Sequence, residues 1–229
     1  MNDVFDLRQG LARALDGREP AWEFIRDLAA CWERPLKPAD GFGEAELTAA
    51  EQRLGVPLPA ALREAYGLFG RRSDLTSNHD TLLGPDKLYV ADGALVYQAE
   101  NQGAAFWGVL LTDLEQGDPA TVMRLDLADK SQERWEPWEP ALSTAFVSMV
   151  MSELLQLDDG LTDHAEADED LDLAGTFTEL PAVGRSLRWF AGPDVLLREV
   201  DGWFLDVRAR TPQALDAVRA AITADWLYC

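Results

Sequence analysis

A chain of 229 residues, 47% of them hydrophobic, can bury a substantial core, while 41 acidic against 20 basic residues leave a net charge of −21. That charge repels nucleic-acid phosphates and anionic lipid over most of the surface, and no apolar run approaches the roughly 20 residues needed to span a bilayer. Neither a nucleic-acid nor a membrane partner is expected. The opening MNDVFDLRQG lacks the basic-then-apolar order of a signal peptide, so the cytoplasm is the expected compartment. Cys31 and Cys229 supply no disulfide framework and no metal-ligand spacing, and both are expected to be reduced.

Residues 3 to 15 place Val4, Leu7, Leu11 and Leu15 on one helical face, with Gly17 as the stop. After Pro20, residues Trp22, Ile25, Leu28, Ala29 and Trp32 recur at spacings of three and four, predicting a second helix whose tryptophans anchor a core. Pro35 and Pro38 break the chain before GFGEAELTAAEQRLGVPLPAALREAYGLFG (41 to 70), the best-punctuated stretch. There Leu47, Ala50 and Leu54 mark one short helix. Gly55 occupies its left-handed C-terminal position, and Pro57 prevents continuation. Pro59 suits the first turn of a second helix with Leu62, Tyr66 and Phe69 on one face and Gly70 at its end.

Residues 71 to 87 are polar and turn-rich and read as a loop. Residues 88–91 and 94–99 flank Asp92-Gly93, the pair that favours a type I′ hairpin turn. Residues 105–111 and 121–126 complete four antiparallel strands. Thr144 to Leu157 reads as a helix over that sheet, with Ser143 as N-cap, a stripe of Phe146, Met149, Val150, Leu154 and Leu157, and a Leu142–Val147 staple.

Residues 158–172 carry eight acids and no Lys or Arg, so 158–176 reads as a solvated linker. Beyond it, 186–191, 194–200 and 203–210 read as strands separated by Gly192-Pro193 and Asp201-Gly202. A last helix follows, capped by Thr211 and striped by Leu215, Val218, Ile222 and Trp226. The expected fold is α+β: a twisted antiparallel sheet with helices packed against it in a domain over 1–157, and a C-terminal three-strand and helix lobe over 177–229. So small a lobe should dock on the main domain and bury Trp203 or Trp226 there.

The helix, LGVPLP, helix, Gly order resembles the SUKH superfamily, the Smi/Knr-type proteins that include bacterial immunity proteins. The resemblance continues through Leu83-Gly84-Pro85, VYQAENQGAAFWGVLL (96 to 111), Asp118-Pro119, Trp135, Trp138 and a closing apolar helix, covering about 40–157. Where that family commonly ends its second helix on Asn-Gly, this chain has Phe69-Gly70. The resemblance implies the same α+β fold and no intrinsic catalytic centre. It also implies a protein partner, for an immunity protein a cognate toxin of cationic nuclease or deaminase type.

The residues themselves point the same way. His79 and His164, the two imidazoles available to a hydrolase, read as solvated, and there is neither a G-x-S-x-G elbow nor an H-E-x-x-H helix. Asp168, Asp170, Asp172 and Glu179 imitate an EF-hand loop, but Leu173 stands where its glycine belongs. Gly41-Phe42-Gly43 is followed by Glu44 and Glu46, which would repel a phosphate, so it reads as a close turn. No catalytic, cofactor-binding or metal-ligating residue is expected. What remains is acid beside aromatic surface: Glu133, Trp135, Glu136, Trp138 and Glu139 around RWEPWEP, with Asp158, Asp159 and Asp163 from the acidic tract, are the candidate partner-binding residues. A merely solubilising acidic surface, a regulatory scaffold without a toxin partner, and a small-molecule or hydrolase pocket between helices and sheet are the alternatives.

Overall fold

The computed structural model describes residues 5–167 and 171–227; Val4, Asp168, Asp170 and Cys229 lie outside the described residues. α1 (Leu7–Ala14) and α2 (Arg18–Trp32) form a helical hairpin, with Asp6 capping α1 by accepting the Gln9 N–H at 2.9 Å. Trp22, Ile25, Leu28, Ala29 and Trp32 of α2 are buried, as their spacing requires. α3 (Glu44–Leu54) ends on Gly55 at φ +72°, and α4 (Ala60–Phe69) starts directly after Pro59. Gly41 is needed for a close approach: an added β-carbon would lie 1.8 Å from the Gly67 carbonyl oxygen. The Phe42 N–H donates to the Tyr66 carbonyl at 2.9 Å in the same contact, so this glycine run packs a loop on α4.

Between α4 and the first sheet the expected loop contains a helical turn, α5 (Ser73–Thr76), and a two-residue strand, β1 (Thr81–Leu82). Its polarity hides internal pairing, for Arg72 is buried with its guanidinium on Asp74 at 2.5 Å. β2 (Tyr89–Ala91), β3 (Ala94–Ala99), β4 (Ala105–Leu110) and β5 (Val122–Leu125) are the four strands read from sequence, and β6 (Glu136–Pro137) adds an edge. The sheet is antiparallel in the order β1-β3-β4-β5-β6, with β2 also paired to β3. Asp92 and Gly93, at φ +48° and +80°, make the two-residue turn between β2 and β3.

In the connection between α2 and α3, Asp40 receives Arg34 through two 2.8 Å hydrogen bonds and the Lys37 N–H through a third. Arg34, aided by that N–H, holds the Asp40 carboxyl at about 2 instead of 3.8. Because the folded value lies below the unfolded one, the contribution is full above about pH 4 and is lost as pH falls toward 2. Arg34 is half exposed, so solvent screening keeps the contribution small. Asp40→Asn should therefore destabilise the protein in urea at pH 7, and the difference from wild type should shrink steadily from pH 4 to pH 2.5.

α6 (Leu142–Leu154) starts two residues earlier than its sequence suggests. Ser143 is not its cap. Asp118, from a distant loop, accepts the Ser143 N–H at 2.8 Å and the Ser143 hydroxyl at 2.6 Å. The helix is buried on every side, Ser148 and Met151 included, because α2, α4 and α5 pack against it and side chains of both sheets join its core. The second of these sheets is antiparallel and ordered β12-β7-β11-β10-β9-β8.

This second sheet corrects the linker expectation. Residues 162–167 of the acidic tract form β7 (Thr162–Ala167), paired on one side with β11 (Phe204–Ala209) and on the other with β12 (Ala224–Trp226). β8 (Thr178–Glu179), β9 (Leu187–Gly192) and β10 (Val195–Val200) complete it, and α7 (Pro212–Ala221) covers its outer face. Strand alternation explains how acids enter a sheet: Asp163 faces α7 and meets Arg219 at 2.5 Å, while His164 faces the other way onto Asp206 at 2.6 Å. The outer face builds its own core from Phe190, Leu197, Leu205 and Val207 with Leu215, Val218 and Ile222, while Trp189 and Leu196 join the core that contains α6.

The two tryptophans expected to dock the lobe do not do so. Trp203 is 48% exposed, and Trp226, in β12 and not in the last helix, packs on the outer core. Trp189 does the docking, fully buried, with its indole N–H donated to the Val183 carbonyl at 2.8 Å. The molecule is thus α+β, with helices on two antiparallel sheets.

Candidate functional site

The structure disperses the eight sequence candidates. Trp135 and Trp138 lie three residues apart on extended chain, an odd spacing that sends their rings to opposite faces of the first sheet. Trp135 packs under the Arg124 guanidinium, 5.1 Å from its ring centre, whereas Trp138 meets Trp107 edge-on at 6.1 Å on the inner side. Glu133 accepts the Leu127 N–H at 3.0 Å and the Lys130 ammonium at 2.8 Å, and so braces its own loop.

Glu139 and Asp163 are corrections, because both are buried. Glu139 accepts the Gly184 N–H at 2.8 Å and ties the first sheet to the approach to β9, while Asp163 is held by Arg219. Burial pushes the Glu139 carboxyl above its ordinary value. Glu136, Asp158 and Asp159 are exposed, although Asp159 also accepts a 2.6 Å bond from buried Arg208. The segments around 136 and 158 therefore do not form one patch with the other five. Of the EF-hand imitation, Asp172 accepts the nearby Gly175 N–H and Glu179 pairs with Arg188, so the two described members serve a turn and a strand.

A cleft of about 160 Å³ lies between the two sheets, floored by α6. Trp107 and Trp138 come from the first sheet side, Leu187 and Arg198 from the second, Ser148 and Ser152 from α6, and His79 and Asp80 from the chain before β1. Tyr97 also lines it, with its buried hydroxyl directed toward Thr121. Burial drives that phenol well above its ordinary value.

Beneath the cleft Arg198, Asp206 and His164 lie side by side across β10, β11 and β7. Arg198 donates to Asp206 through Nε at 2.7 Å and Nη2 at 2.5 Å, and the His164 ring nitrogen Nδ1 lies 2.6 Å from the other carboxylate oxygen. Burial alone would raise the Asp206 carboxyl, but His164 and Arg198 together bring it below its ordinary value. His164 is thus mostly buried beside the Arg198–Asp206 pair, contrary to the solvated reading.

At the cleft mouth the chain before β1 is clamped by Glu153 of α6. Its buried carboxylate accepts the N–H groups of Asn78, His79 and Asp80 in succession, at 2.5, 2.8 and 3.0 Å. Burial pushes this carboxyl up, and the three donors offset that in part. The β1–β3 register pairs Thr81 with Ala99, so one step outward Asp80 confronts Glu100. None of these positions is visible in the sequence, because residues 79–80, 100 and 153 are brought together only by strand pairing and by the packing of α6.

No protein-family model, curated protein or solved structure matches the chain.

Proposed function

We propose that this protein is a non-enzymatic, cytoplasmic interaction module of the SUKH type, an immunity protein whose acidic surface engages a basic toxin of nuclease or deaminase kind. One observation carries the reading: among the described residues exposed carboxylates outnumber exposed lysines and arginines, and Arg72, Arg124, Arg198, Arg208 and Arg219 are committed to buried or mostly buried pairs. The exterior therefore carries a negative charge, which favours steering of a cationic protein.

Further support comes from the elements that carry the family resemblance. The α3–α4 pair, the antiparallel β2–β5 sheet and α6 occur in the order that the resemblance implies. Among the described residues no helix is long and apolar enough to cross a membrane. Arg198 holds one oxygen of the Asp206 carboxylate through two contacts while His164 and Gln156 meet the other, which fits a structural polar row better than a catalytic dyad.

Tagged protein should co-purify from its own cell with a partner of high isoelectric point, released between about 0.15 and 0.5 M salt as screening shortens the reach of the charge attraction. Recovery of acidic partners only, or of none, would sink the reading. A second reading, a small polar ligand in the cleft, is favoured by the polar His79, Ser148, Ser152 and Arg198 side chains that line it beside Trp107 and Trp138, and would gain ground from that failure.

A further inference from the structure

We propose that His79, Asp80 and Glu100 form a binding site for a divalent transition-metal ion at the mouth of the cleft between the sheets. Among the described residues they are the one group of three His, Cys, Asp or Glu side chains whose donor atoms all lie within 4.8 Å of one another. Two donors bound to one ion at about 2.0–2.2 Å each stand about 3.0–3.6 Å apart in tetrahedral or octahedral geometry. The His79 Nε2 to Asp80 Oδ1 distance, 3.9 Å, is too long for a hydrogen bond and only a few tenths of an ångström beyond that range. His79 is half exposed, so a small turn of its ring within reach of Asn101 can supply part of the adjustment.

A different observation points to a missing ligand. Asp80 Oδ1 is buried and has no hydrogen-bond partner, a costly state for a carboxylate oxygen. The strand register compounds it, since directly opposed like charges destabilise a sheet pair and Asp80 is set against Glu100. Among the described residues neither carboxylate has a Lys or Arg ion-pair partner, and Arg198, committed to Asp206, acts on Asp80 only through space. A cation between them would satisfy the orphan oxygen and cancel the repulsion together.

The backbone is braced for such a role. Glu153 fixes the Asn78–Asp80 peptides through three consecutive N–H bonds, and Glu100 uses one oxygen, Oε2, to accept the N–H groups of Gln102 and Ala104 at 2.9 Å each. Asn101 donates to His79 Nδ1 at 3.2 Å, which leaves Nε2 as the imidazole ligand atom. One imidazole with two carboxylates suits Zn²⁺ or Mn²⁺ better than Mg²⁺ or Ca²⁺, which prefer oxygen alone, and three protein ligands leave open positions toward the cleft. The proposal rests on neither reading of the protein's function.

Calorimetric titration of the full chain with Zn²⁺ and with Mn²⁺, at about 0.15 M ionic strength to suppress diffuse counterion binding, tests it. One saturable ion per chain is expected, with binding weakened at least about 100-fold in Asp80→Asn and in Glu100→Gln, since loss of even an outer-shell partner costs 10–100-fold. Glu115→Gln, an exposed acid elsewhere, should bind as wild type does. Asp80→Asn should also raise the thermal midpoint of the metal-free chain, because a repulsion is removed. Equal binding by wild type and both ligand variants, or no saturable binding by wild type, overturns the site. If Asp80→Asn fails to fold, Glu100→Gln and exposed His79→Ala decide by the same criterion.

Discussion

Trp189→Ala is expected to destabilise the whole protein by about 3–5 kcal/mol, the cost of removing a fully buried indole that the surroundings cannot refill. Trp189 sits on β9 and belongs to the core that includes α6, Leu28 and Phe146, so its loss should be felt at both ends of the chain. Urea unfolding followed by far-ultraviolet circular dichroism should show one transition at a lower midpoint with its slope preserved. A first transition confined to the second sheet would instead show two separately folding bodies. Trp203→Ala is the contrast, because Trp203 is half exposed and should change stability by no more than about 0.5 kcal/mol.

The second large effect belongs to Asp206. Asp206→Ala leaves Arg198, only 16% exposed, without its carboxylate and is expected to cost about 3–5 kcal/mol. Adding Arg198→Met should recover part of that loss, since an apolar side chain of similar length needs no counter-ion there. The Asp206 carboxyl is held below its ordinary value, so its stabilisation is full above the ordinary carboxylate range and fades as pH falls through the lowered value. The difference between wild type and Asp206→Ala should accordingly narrow in acid. A double mutant no better than the single would place the cost elsewhere than in the unpaired guanidinium.

Local chemistry was legible wherever it acted alone. Gly55, Asp92-Gly93 and Thr211 each behave as their residue types dictate, because a left-handed glycine, a positive-φ pair and a hydroxyl cap need only their neighbours. The second Asp-Gly pair shows the limit. Asp201 and Gly202 take positive φ as expected, yet Val200 pairs with Phe204, so Trp203 is a third loop residue. A one-residue shift of register reverses every facing side chain. It leaves Trp203 in solvent and brings Asp206 opposite Arg198, which the two-residue turn would have denied.

The acidic tract misled for a related reason. Composition counts charges but not their partners, and the arginines that admit Asp163 and Asp206 to the sheet lie 56 and 8 residues away from them. Likewise Ser143 reads as a natural helix cap, while Asp118, 25 residues earlier, supplies the carboxylate. The candidate surface was the least legible part. Only pairing to β5 reveals that Trp135 and Trp138 leave the chain on opposite sides, and only the fold reveals that Glu139 is inside.

The association rate of the protein with its captured basic partner, followed by stopped flow across about 0.05 to 0.5 M salt, tests the acidic-interaction account most directly. The wild-type rate should fall at least about tenfold over that range. Glu136→Gln with Asp158→Asn, two exposed carboxylates whose removal leaves no buried arginine unpaired, should lower the rate and flatten its salt dependence. A wild-type rate that does not change with salt would contradict the account.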